Sequence, residues 1–413
     1  MDINITPIAG NYQLNTTHNV QPNANAYFME KKFVSIHSED RNVLTYPNSG
    51  EFQITLPQTL NNVVKVKFST FDFPANYDVF SRERENTKLA FSMVEPYLPT
   101  TSPTLLSMAI YECLVSIKNT VLIVEIATGF YTQNQMVTEL TNRFNKVISD
   151  KLHEFVLNNI PKYGSLLPIT DATYDRFVVI YNSVQQTIMF GNTADQFTLN
   201  NSNIFAFSQT NSAVQCRQHP LPDFSSWGLP SNLGLKREDM TSSPAPYRRI
   251  FYGEINPGDN GYWLLPNPLL GNAVVYYLEC PYKINLMGFA NFYLSIEQLN
   301  CIDVTTPFFI TPQKINTGTT TGTVNAAFAK IQIPTTPLSQ WFGGTLDVGP
   351  YIHFAPPRDK VSQLHIKLAY HDGTIVNFQN FNYSFILQFE ILQPQILRKG
   401  TVTTGNVGYL FNR

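Results

Sequence analysis

Charge is scarce in this chain. Asp, Glu, Lys and Arg make up 14% of its 413 residues, against roughly 25% in an ordinary soluble domain. With a net charge of -2 and a pI near 6.4, it offers no electrostatic footprint for a phosphate backbone, and direct nucleic-acid binding is not expected. The basic doublets Lys31-Lys32 and Arg248-Arg249 read as solvated loops or local ion-pair donors. Long hydrophobic runs are also missing. No apolar stretch approaches the roughly 18 residues of a membrane helix, and VLIVEIA from Val121 is broken by Glu125. The start, MDINITPIAG, lacks a basic segment followed by an apolar one, so no secretory signal is read there. The expectation is a chain made in the cytosol without a transmembrane segment.

Cysteine is rare and scattered. Cys113, Cys216, Cys280 and Cys301 form no C-x-x-C and have no paired histidines nearby, which removes zinc-finger and thioredoxin readings. They could bridge in more than one pairing, but buried free thiols fit a chain without a signal peptide. The short catalytic signatures are absent too: no G-x-S-x-G, no H-E-x-x-H, no phosphate-binding lysine loop and no G-x-G-x-x-G. His37, His353 and His365 fall in expected strands and His371 in the turn AYHDGT; none has a partner at metal-ligand or acid–base spacing. A glycosidase pair of carboxylates would need long-range convergence. Glu39-Asp40 before Arg41 reads as a turn-capping network. Asn4, Asn15, Asn200 and Asn382 head N-x-S/T triplets, which a cytosolic chain would leave unmodified. No catalytic, cofactor-binding or metal site is expected, and no small-molecule substrate.

What is present is aromatic and β-branched. Aromatics reach 13%, and Asn and Thr are abundant. Lys and Glu are the residues that protein interfaces exclude, and Tyr and Phe are among those they collect, so the balance suits a molecule enclosed by neighbours. Residues 1–30 are rich in Asn, Thr, Gln and Pro, with Ile3, Ile5, Ile8, Tyr12 and Leu14 scattered among them. Such a composition cannot fold alone. It reads as an extended N-terminal arm, either a loose terminus or a segment ordered by a neighbouring subunit.

From Phe33 short alternating runs begin. FVSIHS, then EFQITLP with Phe52, Ile54 and Leu56, then VVKVKFSTFDFP with Val64, Val66 and Phe68 against Lys65 and Lys67, predict three strands near 33–38, 51–56 and 63–71. Their closeness implies antiparallel pairing. One amphipathic helix is predicted near 132–148, where Met136, Val137, Leu140, Phe144, Val147 and Ile148 recur at helical spacing. Thr132 and Gln135 form its capping box. It should lie over the hairpin RFVVIYNSVQQTIMFGN. Residues 200–270 carry Pro and Gly every few positions and read as loops. Strands return in VVYYLEC, NFYLSIEQL, AAFAKIQIP, YIHF, LHIKLAY, TIVNF and YSFILQFEIL, with a flexible linker in NTGTTTGT from Asn316. Many short strands with regular turns predict an all-β sandwich or barrel. The expected division is an arm at 1–30, a β domain from 31–95 and 271–413, and an inserted region at 96–270. The strands near both ends should share sheets.

Three stretches together resemble minor capsid and penton-type proteins of nucleocytoplasmic large DNA viruses. In FVSIHSEDRNVLTYPNSGEFQITLPQTLNNVVKVKFSTFDFP a strand ends in a Ser-x-Asp-Arg turn, followed by a Tyr-Pro-Asn turn and further strands. GFYTQNQMVTELTNRFN matches a Gly-x-Tyr-Thr helix opening. RDKVSQLHIKLAYHDGTIVNFQNFNYSFILQFEIL is similar to the closing strands. The resemblance implies a jelly roll with an inserted region, assembled in the host cytoplasm as a pentamer at virion vertices or as a minor protein beneath the shell, with itself and other capsid proteins as partners. Two other readings stay open. A receptor-binding or adhesin protein would use an aromatic groove, suited by the Tyr-containing loops of 224–283. A carbohydrate-active enzyme would need two converging carboxylates.

Overall fold

A computed structural model describes residues 27–75, 77–100, 103–167, 173–202, 227–245, 263–271, 273–304, 326–333, 341–345, 349–371 and 373–394. The N-terminal arm up to residue 26, most of the 200–270 loops and the NTGTTTGT linker lie outside them. In chain order come β1 (Tyr27–His37) and β2 (Glu51–Pro74). Residues 27–30, expected to belong to the arm, are thus part of the first strand. Next are β3 (Lys88–Glu95), α1 (Leu105–Ser116), β4 (Leu122–Glu125), α2 (Gln133–Asn158), β5 (Phe177–Asn182), β6 (Thr187–Asn192), β7 (Gln196–Leu199), β8 (Met240–Thr241), β9 (Ser243–Pro244) and β10 (Tyr276–Glu279). The last group is β11 (Asn291–Ile296), β12 (Ile302–Asp303), β13 (Ala326–Ala327), β14 (Ala329–Gln332), β15 (Trp341–Thr345), β16 (Tyr351–Ala369) and β17 (Ser384–Pro394). The chain is mostly β, built from curled antiparallel sheets. It forms two compact units and passes from the first to the second near residue 76 and back near residue 290.

The first unit is a seven-stranded sheet in the order β1-β17-β2-β16-β11-β14, with β15 also paired to β2. Both chain ends therefore share one sheet, as their alternation predicted. β2 is its centre: Val63 to Lys67 pair with Ile391 to Gln388 of β17 on one side and with β16 on the other. The sequence suggested a break within QTLNN, but β2 runs on for 24 residues. Asn62 takes a left-handed φ of 53°, while the register with β16 shifts on either side of it, between Lys65 and Val63 and between Leu60 and Thr55. The β17 register skips Val64 and Ser69. Each bulge resets the inward parity, so Val63, Val66, Phe68 and Phe73 are all buried in the core. There Phe73 meets Phe292 at 4.9 Å and Tyr383 at 5.0 Å, and Phe68 meets Phe385 at 5.8 Å. YIHF and LHIKLAY join into the single strand β16. TIVNF forms only a bridge, Ile375 to Ala369, because the turn at Gly373 brings it back along the very end of β16.

The second unit contains two four-stranded sheets, β5-β6-β10-β9 and β4-β3-β7-β8. β3 and β10, which the sequence reading groups with the terminal strands, pair instead with β4 and β7 and with β6 and β9. Length and alternation identify a strand but not its partner. α2 starts at the expected capping box, with Thr132 Oγ accepting from the Gln135 N–H at 3.3 Å and Gln135 Oε1 accepting from the Thr132 N–H at 3.0 Å. It extends ten residues past the predicted end, because Leu152 and Val156 continue its buried stripe. α1 was not anticipated: LLSMAIYECLVS is apolar at most positions, which leaves little helical contrast to read.

α2 also covers the open edge of β5. Thr141 Oγ accepts the Val179 N–H at 2.9 Å, Asn145 accepts from and donates to the Phe177 backbone at 2.9 Å, and Ser149 Oγ accepts the Tyr174 N–H at 2.9 Å. Three polar side chains at four-residue spacing thus replace the missing neighbouring strand. Beside them Met136, Leu140 and Phe144 are buried, with Phe144 4.7 Å from Phe91 and 4.9 Å from Phe177. Leu140→Ala should cost about 2–5 kcal/mol, read as a lower urea midpoint with unchanged slope. An unchanged midpoint would refute this packing. Asn145→Leu, which strands two Phe177 backbone groups, should cost about 1–3 kcal/mol despite its greater hydrophobicity.

Candidate assembly surfaces and polar clusters

In the first unit the turn after β1 is tied to the start of β17. The Ser38 N–H donates to the Tyr383 carbonyl at 2.9 Å, and the Tyr383 N–H donates to Ser38 Oγ at 2.9 Å. Arg41 gathers the turn, donating to the carbonyls of Ser38 (2.7 Å), Tyr46 (3.0 Å) and Pro47 (3.3 Å) and to Asn382 Oδ1 (3.4 Å). The expected capping by Glu39 and Asp40 is not what holds it; both are exposed, and a cation is what bare carbonyls require. The Tyr383 hydroxyl donates to the Ser49 carbonyl at 2.8 Å, and burial pushes its pKa up. Gly50 closes the turn because a side chain there would collide with the Val376 carbonyl.

The outer face of the same sheet is mixed. Met29 and Phe33 on the edge strand β1, Trp341 on β15 and Tyr351 on β16 are exposed. Lys65 lies between them, 4.5 Å from the Tyr351 ring centroid and 4.0 Å from the Glu390 carboxylate. The composition suggests that aromatics are reserved for interfaces. Most of the described ones are instead core: Phe52, Phe68, Phe73, Phe91, Phe144, Phe177, Phe190 and Phe197 are fully buried.

The second unit buries a charged cluster. Asp195, 0% exposed, pairs with Arg176 at 2.8 Å and accepts the Tyr174 hydroxyl at 2.8 Å and the Tyr97 N–H at 2.8 Å. Asn192 donates to the Tyr174 oxygen at 2.8 Å and accepts the N–H groups of Ala194 and Asp195. Burial is the largest single influence and would lower the Arg176 pKa; Asp195, Tyr174 and Asp175 together leave the pKa raised. Both carboxylate oxygens of Asp195 face a donor, which is the condition under which a buried pair persists. Burial pushes the Cys113 thiol from an ordinary 9.0 to about 12 and raises Cys280 as well. Cys301, expected to be buried, is exposed.

Among the described residues the histidines do not converge. His365 Nε2 is 3.4 Å from Glu51 and its Nδ1 is 3.5 Å from Glu297, so the carboxylates occupy opposite sides of the ring rather than one ligand position. A hollow of about 220 Å³ beside it is lined by Gln53, Gln298, Arg358 and Lys360. His37 contacts Ser35 at 3.0 Å, His353 lies opposite Lys65, and His371 packs on Tyr293 at 5.9 Å. An open hollow of about 500 Å³ at the start of α2 has Glu139 as its one carboxylate, already paired with Arg143 at 2.7 Å. Among the described residues no three His, Cys, Asp or Glu side chains are grouped to hold a metal, and no helix is long and apolar enough to cross a membrane.

No family model matches the chain, and no curated protein matches it. Among solved structures it is similar to a chain of the Sputnik virophage at 10% identity, with a TM-score of 0.35, covering 88% of this chain and 98% of that one. It is also similar to the mavirus penton protein at 8% identity, with a TM-score of 0.32, covering 88% and 99%.

Asp195→Ala should destabilise the protein by about 3–5 kcal/mol by leaving a buried guanidinium uncompensated, measured by urea unfolding. Combining Asp195→Leu with Arg176→Met, which removes both charges at once, should recover most of that loss. The Cys113 thiol keeps its proton to about pH 12 when folded, but loses it near 9 when unfolded. Its contribution is therefore complete below pH 9 and falls away between pH 9 and 12. Cys113→Ala should flatten that part of the stability-against-pH curve, and a curve unchanged by the substitution would refute the assignment.

Proposed function

We propose that the chain is a structural, non-enzymatic virion protein of an icosahedral large DNA virus. Its position is a penton at the vertices or a minor capsid protein, built on a jelly roll and assembled in the host cytoplasm from copies of itself and other capsid proteins. The observation that carries this reading is where the resembling stretches fall. The Ser-x-Asp-Arg and Tyr-Pro-Asn turns and the closing Asn382-Tyr383-Ser384 segment, far apart in sequence, are bonded to one another through Arg41, Ser38 and Ser49. Shared residues that meet in space are better support than the same residues scattered, because they describe one joint.

The scarcity of charge adds to this. A subunit enclosed by permanent contacts does not need surface charge for solubility, and the aromatics, being largely core, are not required for the argument. The adhesin and glycosidase readings gain no specific observation: the two carboxylates nearest each other across His365 are each engaged by it.

The purified chain should form a closed oligomer, a ring built on one repeated heterologous contact, with five copies favoured by the resemblance to penton-type proteins. Native mass determination and electron microscopy of the full chain, and of a chain lacking residues 1–26, which spares the paired residues of β1, test this. Rings from the first and impaired particle incorporation by the second are expected. Stable monomers from both at high concentration, with normal incorporation of the shortened chain, would overturn it.

A further inference from the structure

β1 stands at the end of its sheet, and among the described residues β17 is the one strand paired with it. Its register runs unbroken from Tyr27 opposite Pro394 to His37 opposite Ser384. The next pair is Ser38 with Tyr383, where the Ser38 N–H donates to the Tyr383 carbonyl at 2.9 Å. In an antiparallel ladder, residues that bond across alternate with residues whose N–H and C=O groups point the other way. Counting back from Ser38, residues 36, 34, 32, 30 and 28 bond to β17, and residues 37, 35, 33, 31 and 29 turn their backbone groups to the open edge. The outward-bonding positions include Met29 and Phe33, 47% and 60% exposed, and Phe28 on the opposite face is 43% exposed. An edge with unpaired backbone groups and exposed apolar side chains is a template for another strand.

The order of side chains along this edge says which strand fits it. Around Lys31 the run Phe28-Met29-Glu30-Lys31-Lys32-Phe33-Val34 has the same character read in either direction, except that an acid on one side answers a base on the other. Two copies paired antiparallel about a twofold axis through Lys31 set Glu30 against Lys32, Met29 against Phe33 and Phe28 against Val34. The axis repeats each pair, and directly opposed side chains share a face. Residues 29, 31 and 33 then bond through the groups that β17 leaves open. Neighbouring registers fail. An axis between two residues opposes outward backbone groups to inward ones. An axis at Glu30 sets that carboxylate against its own copy and Phe28 against Lys32, and one at Lys32 sets Lys31 against Phe33 and Lys32 against itself. Lysines ordinarily guard an edge strand; here they select one register. Lys31 does meet its own copy at the axis, but it is exposed, where salt and water screen the repulsion.

We propose that β1 is a contact by which two copies of the chain join into one continuous sheet, antiparallel about Lys31. The second copy is chosen by charge and hydrogen-bond pattern together: its own β1 supplies, in a single register, a carboxylate for Lys32, a cation for Glu30, apolar partners for Met29, Phe33 and Phe28, and a matching row of backbone groups. The proposal goes beyond the assembly reading and does not rest on it. A ring repeats a heterologous contact, whereas this contact is isologous and links a subunit of one ring to a subunit of another, or two copies that form no ring.

The test uses the full chain, with folding judged by circular dichroism and self-association by sedimentation and native mass. Glu30→Lys alone opposes lysine to lysine and Lys32→Glu alone opposes glutamate to glutamate, so each should weaken this contact about tenfold. The double variant, which exchanges the charges, should restore it. Lys31→Pro removes an N–H that faces the open edge and leaves the β17 ladder whole, so it should block the contact in a folded chain. Lys31→Cys should give, on oxidation, a disulfide between two copies that peptide mass maps to position 31 in both, since directly opposed residues bonded across a ladder stand about 5.5 Å apart at Cα. Folded variants that associate as wild type does, an exchange that restores nothing, or associated Lys31→Cys chains without that bridge overturn the proposal and leave the ring reading standing. A wild type that stays monomeric at all concentrations overturns both. If the charge and proline variants fail to fold, the presence or absence of the Lys31→Cys bridge decides.

Discussion

From Val63 to Lys67 the backbone of β2 is hydrogen-bonded on both sides, and both partners, β16 and β17, come from the far end of the chain. The rest of the first unit depends on that arrangement. β1 has β17 as its described neighbour, so it cannot be placed before that C-terminal strand arrives, and β15 comes from far along the chain to pair with β2. The ring cluster around Phe68 and Phe73 likewise takes members from both ends, Phe292, Phe378 and Phe385 among them. Contacts of this range carry a loop-closure cost that local structure does not offset, and they belong to slow-folding topologies. The intervening second unit has its own strands, helices and buried clusters, which is the organisation that lets a long excursion leave a sheet and return to it.

Inside that second unit, specificity comes from polar groups placed where an apolar core would tolerate alternatives. The Thr141, Asn145 and Ser149 ladder accepts three backbone N–H groups beside β5 and so fixes where α2 sits along the strand. A purely apolar stripe could slide by a turn; a ladder of hydrogen bonds cannot without leaving buried donors unmade. The Asp195 cluster does the same for the chain around β6 and β7, joining Tyr97, Tyr174 and Arg176 to one carboxylate while Asn192 accepts the Asp195 backbone N–H.

Composition proved informative for a different reason than the one it first suggested. Abundant aromatics pointed toward interfaces, yet the described rings mostly fill two cores. Abundant asparagine looked like generic loop content, yet its side chains repeatedly close turns, at Asn42, Asn48, Asn182, Asn267, Asn285 and Asn377. Turn closure by a neutral amide holds loops in shape without charge, which is compatible with a surface that carries little of it.

Strand existence at both chain ends, the phase and capping of α2 and the mostly β character were determined by the sequence alone, because each rests on local periodicity or on a short-range hydrogen bond. α1 escaped because uniform hydrophobicity has no period, and the continuity of β2 through QTLNN escaped because an asparagine pair with a left-handed φ at Asn62 looks like a turn in one dimension. Partner choice was decided only by the tertiary structure: that β3 and β10 pair away from the terminal strands, that Arg41 rather than Glu39 or Asp40 holds the first turn, and that Arg176 meets Asp195. Periodicity states which face of a segment is apolar; which other segment covers that face is settled by the whole chain packing at once.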